Sequence, residues 1–497
     1  MQSPVTTNYQ YDDLGRMICQ TDPKGRKTIY AYDAYNRITK LEHQNDEGIT
    51  VGAIQQNSYD DISNKVQTTI YEVVDGEEAP RDQYLFEYDG GCNLIKESRL
   101  WEGSLVPLTT TETDSRGLPI ETRVYYGSGA EDYRRTSFAY DSMGRLIQTW
   151  INDDPTFTSI TYNDAERSKI VTDENGNQMK YYYDPYGQLL ETGELKGNDV
   201  VSLVSYKYDL AGNKIEESFY NDGDTEQRLR YSYGLGNKLI AEEYLDDEDL
   251  EAKTYEYDNR GNLIKVTGNK GLEINYIYDE LDRMIKQELS DRTMINNLEE
   301  VEFMPSGNYS ESVSQSYSYD ELDQLIRKAQ VFNGKELALS YAYDYKARLT
   351  SLTYPGTSDA TKVDYKYDAW DRIISIPGYV EGQNVDGSQE IMPGIEYDRA
   401  GFMQSIRYAN GVKTNYIPDS RGRLQSIAMN EHPSLDLCYT YDGNNNIIMM
   451  NNIQYQYDSF NRLVEVIQGT DITNFSYDRQ PVVIAEVFTC SHLEHSS

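Results

Sequence analysis

Cysteine and basic residues are scarce in this sequence, and each shortage excludes a class of protein. The four cysteines, Cys19, Cys92, Cys438 and Cys490, contain no CxxC pair, which argues against a zinc ribbon or a disulfide scaffold. Lys and Arg number 46 against 83 Asp and Glu, so the formal net charge is −37. Because nucleic acids and anionic bilayers are negatively charged, this balance makes both of them unfavourable partners.

Long apolar runs are missing as well. No stretch approaches the ~18 apolar residues of a membrane span. The first residues, MQSPVTTNYQYDD, lack the basic segment and apolar core of a secretory signal. We therefore expect neither a membrane span nor a signal peptide in this chain.

Proline, phenylalanine and tryptophan are also few, whereas tyrosine is abundant. The chain has 14 Pro, 10 Phe and 3 Trp but 46 Tyr. Tyrosine favours β-strands, and its ring can pack while its hydroxyl stays hydrogen-bonded or solvated. Scarce proline and a high aromatic content argue against intrinsic disorder. The composition predicts a β-rich protein with a thin sheet whose two faces are partly solvated.

The tyrosines recur in one motif, aromatic-x-Tyr-Asp. It reads YQYD at 9, YAYD at 30, YYYD at 181, YKYD at 365 and YQYD at 455, with further full or eroded copies between them. The second aromatic, here called the marker, takes about 21 positions with a mean step of roughly 23 residues. This period is shorter than the ~40 to 45 residues of a propeller blade, and helical periodicity is missing. The marker positions are 11, 32, 59, 88, 113, 140, 162, 183, 208, 233, 257, 278, 303, 319, 343, 367, 397, 418, 441, 457 and 477.

Each unit can be interpreted as a β-hairpin. In YAYDAYNRI, Tyr30 and Tyr32 are two apart and so project from one face of a strand. Asp33 then opens a turn, in which its side chain can bind the backbone two residues on. Asn36 takes a position where a left-handed residue closes the turn, and Arg37 begins the returning strand.

The fourth residue after the marker is the most selective position. Sixteen of the first twenty units have Gly, Asn or Asp there, the residue types that best tolerate positive φ. Ser63, Cys92, Glu166 and Ala347 are the exceptions. Catalysis would not select for these three residue types, so the pattern favours a structural role.

The structural motif is represented by residues of seven repeats. They are Tyr9, Tyr11, Asp12, Gly15, Arg16, Tyr30, Tyr32, Asp33, Asn36, Arg37, Tyr181, Tyr183, Asp184, Gly187, Tyr255, Tyr257, Asp258, Gly261, Tyr276, Tyr278, Asp279, Arg283, Tyr365, Tyr367, Asp368, Arg372, Tyr455, Tyr457, Asp458 and Arg462.

The predicted fold is all-β, made of continuous antiparallel hairpin repeats. A second turn, such as TDPKGRKT at 21 or TDENGNQMKY at 172, joins each hairpin to the next, which gives on the order of 40 strands. Single hairpins are marginal, so the units must stack, and we expect aromatic pairing between neighbouring units to add ~0.5 to 1.5 kcal/mol each. Because an open twisted sheet rarely exceeds ~10 strands, the array should spiral into a hollow shell or tube. We expect this shell segment to span residues 1–478, followed by a non-repeat tail at 479–497.

Catalytic and metal sites are not predicted. The Tyr-Asp-Arg group recurs, whereas catalysis needs one tuned copy. Cys490, His492, Glu494 and His495 resemble a metal site, but the spacing matches neither HExxH nor a zinc deaminase. DGDTE at 222–226 fails the EF-hand template. We therefore expect no enzyme activity, no cofactor and no metal.

The repeated YDxxGR and TDxxGxxxxYxYD units resemble the RHS or YD-repeat family over residues 9–478. The resemblance implies hairpins that spiral into a large hollow shell. It also implies a bacterial, secreted or cell-surface protein whose shell encloses a C-terminal toxin and helps to deliver it. The partners would then be that toxin cargo or the remaining shell segments, namely an RHS core and N-terminal domains.

The sequence departs from this family after FSYDRQ. The DPxG-rich core segment that closes such shells is missing, and DPxG occurs only in ordinary repeats at 22 and 184. We interpret the chain as a middle section or a truncated product without its cargo. A second hypothesis is a cell-surface adhesin that binds cell-wall glycans, because rows of aromatic rings suit sugar stacking.

Overall fold

The structure is a computed structural model that describes residues 6–477, apart from 63, 75, 102, 128–131, 153, 222–223, 247–250, 269–271, 290–313, 333–334, 356–361, 369, 378–389, 431 and 476. The tail at 479–497, with the metal candidates Cys490 and His492, lies outside the described residues. So do Ser63 and the repeat around residue 303.

The described chain is almost entirely β-structure, and the predicted all-β hairpin array is confirmed. Two short 3-10 helices, Leu235–Asn237 and Pro433–Leu435, interrupt it, and no described helix is long and apolar enough to cross a membrane. The strands are β1 (Asn8–Tyr11), β2 (Met17–Thr21), β3 (Lys27–Tyr32), β4 (Ile38–Gln44), β5 (Thr50–Tyr59), β6 (Lys65–Val74), β7 (Glu77–Tyr88), β8 (Leu94–Trp101), β9 (Ser104–Thr113), β10 (Pro119–Tyr125), β11 (Tyr133–Tyr140), β12 (Leu146–Ile151), β13 (Thr158–Asn163), β14 (Ser168–Thr172), β15 (Gln178–Tyr183), β16 (Leu189–Lys196), β17 (Asp199–Tyr208), β18 (Lys214–Asn221), β19 (Asp224–Tyr233), β20 (Leu239–Tyr244), β21 (Lys253–Tyr257), β22 (Leu263–Thr267), β23 (Glu273–Tyr278), β24 (Met284–Leu289), β25 (Ser314–Tyr319), β26 (Leu325–Phe332), β27 (Lys335–Tyr343), β28 (Leu349–Thr353), β29 (Lys362–Asp364), β30 (Lys366–Tyr367), β31 (Ile373–Pro377), β32 (Glu390–Met392), β33 (Gly394–Tyr397), β34 (Met403–Arg407), β35 (Lys413–Pro418), β36 (Leu424–Met429), β37 (Leu437–Tyr441), β38 (Ile447–Met450), β39 (Ile453–Tyr457), β40 (Leu463–Gln468) and β41 (Asp471–Asn474).

Consecutive strands pair antiparallel, as a chain of hairpins requires. Strands β1–β29 form one 29-stranded sheet, β30–β32 a three-stranded sheet and β33–β41 a nine-stranded sheet. In β3 and β4, Tyr30 pairs with Leu41, and the register shifts at the marker Tyr32. The same shift recurs at other markers, such as Tyr208 and Tyr367. It is the β-bulge that a type I turn followed by a left-handed residue produces.

The chain divides into two compact units. Unit 1 comprises Met1–Ser159 and Lys253–Asn452, and unit 2 comprises Ile160–Ala252 and Ile453–Ser497. Unit 1 has few fully buried apolar side chains, among them Ile54 and Ala329. Unit 2 contains β14–β20 and β39–β41, with Phe219 buried on β18. Most other side chains are only partly buried, so each unit is a thin sheet rather than a thick core.

Candidate functional site: the YD turns and their contacts

The turn after each marker, here called the YD turn, is organised by its aspartate. Asp33 Oδ1 accepts hydrogen bonds from the backbone N–H of Tyr35 at 2.8 Å and of Arg37 at 3.1 Å. Such an Asx turn closes the loop before the strand returns. The same two bonds are made by Asp12, Asp60, Asp89, Asp114, Asp141, Asp184, Asp209, Asp258, Asp279, Asp320, Asp344, Asp368, Asp419 and Asp458.

The fourth residue after the marker has positive φ even where the sequence departs from Gly, Asn or Asp. Asn36 has φ 66°, and the exceptions Cys92 and Ala347 have φ 64° and 63°. In the turn that contains Glu166, the neighbouring Arg167 takes the positive φ instead. A side chain in this region costs about 1–2 kcal/mol, so Cys92 and Ala347 are strained positions that turn closure imposes.

In six of the described YD turns, an arginine at the end of the turn connects it to the next turn, and we call this contact the arginine bridge. Arg37 Nε donates to Asp33 Oδ2 at 2.6 Å, and Nη1 donates to the carbonyl of Asp60 at 2.7 Å. Its guanidinium carbon lies 4.7 Å from the ring centroid of the next marker, Tyr59. The side chain of Arg37 therefore contacts its own turn, the next YD turn and the ring of the next marker tyrosine. Arg16, Arg283, Arg348, Arg372 and Arg423 repeat all three contacts.

The marker tyrosine holds the preceding unit through its hydroxyl. Tyr32 donates to the carbonyl of Met17 at 2.8 Å, and Tyr59 donates to that of Ile38 at 2.8 Å. At several described markers, among them Tyr32, Tyr59 and Tyr319, the ring faces an arginine, so the expected aromatic pairing between units is not the contact that these markers repeat. A ring-on-ring pair is described at Tyr125 and Tyr133, whose centroids are 5.6 Å apart. Composition revealed the tyrosines but gave no signal for the arginine bridge.

The thirty motif residues are distributed along the sheet. The first aromatics Tyr30, Tyr181, Tyr255, Tyr276 and Tyr455 are partly buried on their strands, and Tyr365 is partly buried between β29 and β30. Tyr9 and Tyr11 on β1 are 51% and 59% exposed. Gly187 and Gly261 have positive φ, and Arg462 binds Asp458 and stacks on Tyr477. These residues do not converge on one pocket, and their structural role stays a prediction.

The electrostatics of the turns also argue against acid–base chemistry. Burial raises the pKa of Asp279, but hydrogen bonds from Arg283, Leu281 and Lys24 outweigh it and lower the pKa to about 2. Burial likewise raises the pKa of Asp33, but the bonds from Arg37 and Tyr35 lower it overall. Such carboxylates stay ionised, and their lone pairs are engaged by the turn.

Unit 1 contains a second kind of contact, in which joining turns of its first segment lie against YD turns of its second. Lys24 Nζ lies 3.2 Å from Asp279 Oδ2. Arg26 Nη1 donates to the carbonyl of Glu321 at 2.6 Å and to Asp323 Oδ1 at 2.8 Å. These partners are 255 to 297 residues apart in sequence. We call this contact, between residues 22–154 and residues 279–421, the seam.

The seam continues in chain order along both segments. The backbone N–H of Arg399 donates to the carbonyl of Tyr126 at 2.8 Å. Further on, Asn152 Nδ2 donates to the carbonyl of Ser420 at 2.6 Å, across 268 residues. Because the separation in sequence changes little, successive joining turns meet successive YD turns.

A buried charge cluster lies in the middle of the seam. Asp82 pairs with Arg99, and the two side chains are 3% and 5% exposed. Lys346, from a YD turn of the second segment, pairs with the same carboxylate and lies 3.1 Å from Asp371. The guanidinium of Arg99 lies 5.4 Å from the ring of Trp370. Sequence reasoning missed this cluster, since its members are far apart in sequence and Asp82 and Arg99 lie outside the YD motif.

The described part of unit 2 has one contact between residues that are similarly far apart in sequence. Ser459, in a YD turn, donates to Glu194 Oε1 at 2.5 Å across 265 residues. Glu194 lies near the end of β16 and is buried.

A cavity of about 280 Å³ lies beside the seam in unit 1. Its lining includes Arg26, Lys27, His43 and Asp323. Thr28 Oγ1 and His43 Nδ1 are 3.2 Å apart, and burial together with the charge of Arg26 lowers the pKa of His43. Arg26 is already engaged by the seam, and no His, Cys, Asp or Glu cluster suited to a metal occurs in the described part of the chain.

A chain of hairpins joined by YD turns defines a YD-repeat protein, and comparison with known proteins agrees. The sequence model of the teneurin YD-shell family matches residues 136–298 and 292–453, and that of the RHS repeat matches residues 11–46. The chain therefore belongs to the teneurin YD-shell family.

Of two relatives with similar sequences, one is named as a nuclease and the other as a deaminase toxin. The tRNA3(Ser)-specific nuclease WapA of Bacillus spizizenii is 29% identical over 202 residues, which is 39% of this chain and 7% of that protein. The double-stranded DNA deaminase toxin A of Burkholderia cenocepacia is 22% identical over 513 residues, covering 96% of this chain and 31% of that protein. The chain thus spans less than a third of either relative.

Solved structures resemble the fold over most of the chain. The crystal structure of TcdB2-TccC3 has a TM-score of 0.65 at 15% identity, covering 93% of this chain and 29% of that one. The Tc holotoxin pore of Photorhabdus luminescens has a TM-score of 0.65 at 14% identity, covering 93% and 31%. At this identity the likeness concerns the fold alone.

Proposed function

We propose that this chain is a non-enzymatic segment of the wall of a bacterial YD-repeat shell that encloses a toxin cargo. The seam of unit 1 is the observation that carries the proposal. Through it, later hairpins lie beside earlier ones in order, and a wall built from successive turns of one ribbon needs such a side contact. The arginine bridges supply contacts in the other direction, from one hairpin to the next, at six of the described turns.

The length and the names of the two relatives support the proposal that the shell encloses a toxin cargo. Both curated relatives are far longer than this chain, and their names describe a nuclease and a deaminase toxin. The partners would accordingly be a toxin domain and the remaining shell segments, and the location secreted or at the cell surface. The chemistry would belong to the cargo, because the wall residues are engaged in turns and bridges.

Cryo-electron microscopy of the purified chain tests whether the chain forms the wall of a shell. We expect curved or hollow particles whose wall is one sheet thick. A solid particle, or a straight rod without curvature, would contradict the proposal.

Retention of a cargo tests the enclosure. The chain is co-expressed with an inactivated nuclease toxin domain, and the mixture is followed by size exclusion and limited proteolysis. We expect the cargo to co-elute with the chain and to be protected from the protease. Asp82→Asn disturbs the seam and should abolish both effects. Asp13→Asn changes an exposed residue of a YD turn and should keep both. A cargo that elutes alone and is digested at its free rate would refute enclosure, and specific hits on a glycan array would favour the adhesin hypothesis.

A further inference from the structure

One contact of the seam consists of two aspartates that cations from two parts of the chain share. Arg283, in the YD turn at 279, lies 2.6 Å from Asp279 Oδ2 through Nη2, and its Nη1 donates to Asp323 Oδ1 at 2.5 Å. Lys24, in a joining turn, lies 3.2 Å from the same oxygen of Asp279. Arg26, in that joining turn, donates to Asp323 Oδ1 at 2.8 Å. We call these five residues the clasp.

Asp323 joins the two directions in which hairpins contact one another. Arg283 reaches it along the chain of hairpins, and Arg26 reaches it across the seam, over 297 residues. Both oxygens of Asp323 accept from Arg26, at 2.8 and 3.2 Å. Glycine serves the same turn position at Gly401, so turn closure does not require this carboxylate. What Asp323 adds is the contact with the two arginines.

The clasp faces solvent, unlike the buried charge cluster in the middle of the seam. Its arginines are mostly buried, but the side chains of Asp323 and Lys24 are 52% and 40% exposed. Asp82 and Arg99 of the cluster are almost completely buried. Salt screens exposed ion pairs far more than buried ones, and the Debye length falls from about 10 Å at 0.1 M to about 3 Å at 1 M. Ionic strength should therefore weaken the clasp and spare the cluster.

Little packing is available to hold the clasp without its charges. A cavity of about 280 Å³ adjoins it, lined in part by Asp22, Arg26 and Asp323. The neighbouring contact of the seam is apolar, because a Cβ on Gly52 would lie 3.0 Å from Leu322 Cδ1. Salt does not screen apolar packing, so loosening of the clasp should stop short of residue 52.

We propose that the clasp is an ionic latch that opens at high ionic strength while the rest of the seam stays closed. Opening separates the joining turn at 22–26 from the YD turns at 279 and 320. The joining turn stays folded, because the backbone N–H groups of Lys24 and Arg26 are also bound by Asp22 Oδ1, at 2.9 and 3.0 Å. The latch requires no cargo, so its failure would leave the proposed function untouched.

Salt acts on the chain as a whole in the opposite direction. The net charge of −37 destabilises the compact state through self-repulsion, and salt screens that repulsion. We therefore expect ionic strength to stabilise the fold and to loosen the clasp. The opposite signs distinguish the latch from a general effect of salt.

Zero-length cross-linking of the whole chain tests the latch, because a carbodiimide joins an amine to a carboxylate only where the two are in contact. The coupled peptides are quantified by mass spectrometry at about 0.05 M and about 1 M sodium chloride. We expect the Lys24–Asp279 product to fall at least about fivefold at high salt. The matched control is Lys265–Glu273, a partly exposed pair 2.6 Å apart on the paired strands β22 and β23. Its product should change less than about twofold.

Two variants at the same turn position separate the latch from other effects of charge. Asp323→Asn keeps a residue that tolerates positive φ but removes the charge that the two arginines share. At low salt it should lower the Lys24–Asp279 product to the level that the wild type shows at high salt. Asp282→Asn is the control, because the described bonds to Asp282 come from the preceding YD turn and not across the seam. It should leave the product unchanged.

Three results would overturn the proposal: a Lys24–Asp279 product that salt does not lower, an equal fall in the control pair, or equal behaviour of the two variants. Urea midpoints at both salt concentrations establish that each variant is folded. We expect these midpoints to rise with salt. A midpoint that falls together with the product would assign the loss to general unfolding and would also overturn the latch.

Discussion

The YD turns of residues 12–145 and those of residues 279–421 share one local design but differ in what covers them. Both sets use an aspartate that caps the turn and a residue with positive φ. Yet Tyr35 is 74% exposed, whereas Leu322 at the same position is partly buried. The motif therefore determines the turn, and a segment more than 250 residues away determines its environment.

The largest expected effect is at Asp82, which receives Lys346 from a covered turn. Asp82→Asn leaves Arg99 and Lys346 buried without this carboxylate, so the free energy of unfolding should fall by about 3–5 kcal/mol. Asp13→Asn, in an open turn, should change it by less than about 0.5 kcal/mol. Urea denaturation followed by circular dichroism measures both. Equal losses would mean that covered and open turns do not differ energetically.

Truncating the same turn position in both sets compares them most directly. Leu322→Ala should cost about 1–2 kcal/mol, because its side chain packs against β5 near Gly52. Leu14→Ala should cost less than about 0.5 kcal/mol, because Leu14 is 72% exposed. Hydrogen exchange should also quicken at residues 50–53 in Leu322→Ala alone. Unchanged exchange there would show that Leu322 does not hold the seam.

Relieving backbone strain should stabilise the turn that contains Ala347. Ala347→Gly removes the cost of φ 63° and should raise the free energy of unfolding by about 1 kcal/mol. Ala211→Gly, one residue before the positive-φ Gly212, should lower it by about 0.4–1 kcal/mol, because Ala211 lacks positive φ. Thermal melts of both variants test the opposite signs. A loss of stability in Ala347→Gly would mean that the methyl group makes a contact that outweighs the strain.

The smallest expected effect is a pH dependence of the free energy of unfolding, which arises at His43 beside the seam. The pKa of His43 is lowered in the folded chain by burial and by Arg26, so the unfolded chain binds its proton more tightly. Stability should therefore decline as pH falls through about 6.5, and His43→Gln should remove part of that decline. His432→Gln changes an exposed histidine outside the seam and is the matched control. Urea midpoints at a series of pH values measure the slopes, and an identical slope in His43→Gln would refute the linkage.

Much of the fold could be predicted because its determinants are local. Asp33, Asn36 and the paired Tyr30 and Tyr32 lie within one hairpin, and each acts through its own backbone conformation or strand face. The strain at Cys92 and Ala347 was not predictable from residue type, since turn closure overrides the preference there. The arginine bridge combines a local bond with one to the next repeat, and only the local half follows from the spacing.

By itself, the sequence determined the hairpin array and the turn chemistry, because these depend on residues a few positions apart. Only the tertiary structure decided which turns are covered, that Asp82 meets Lys346, and that Arg26 reaches Asp323. Those contacts depend on how far each hairpin rotates relative to its neighbour. That rotation accumulates over many strands, and no single motif encodes it.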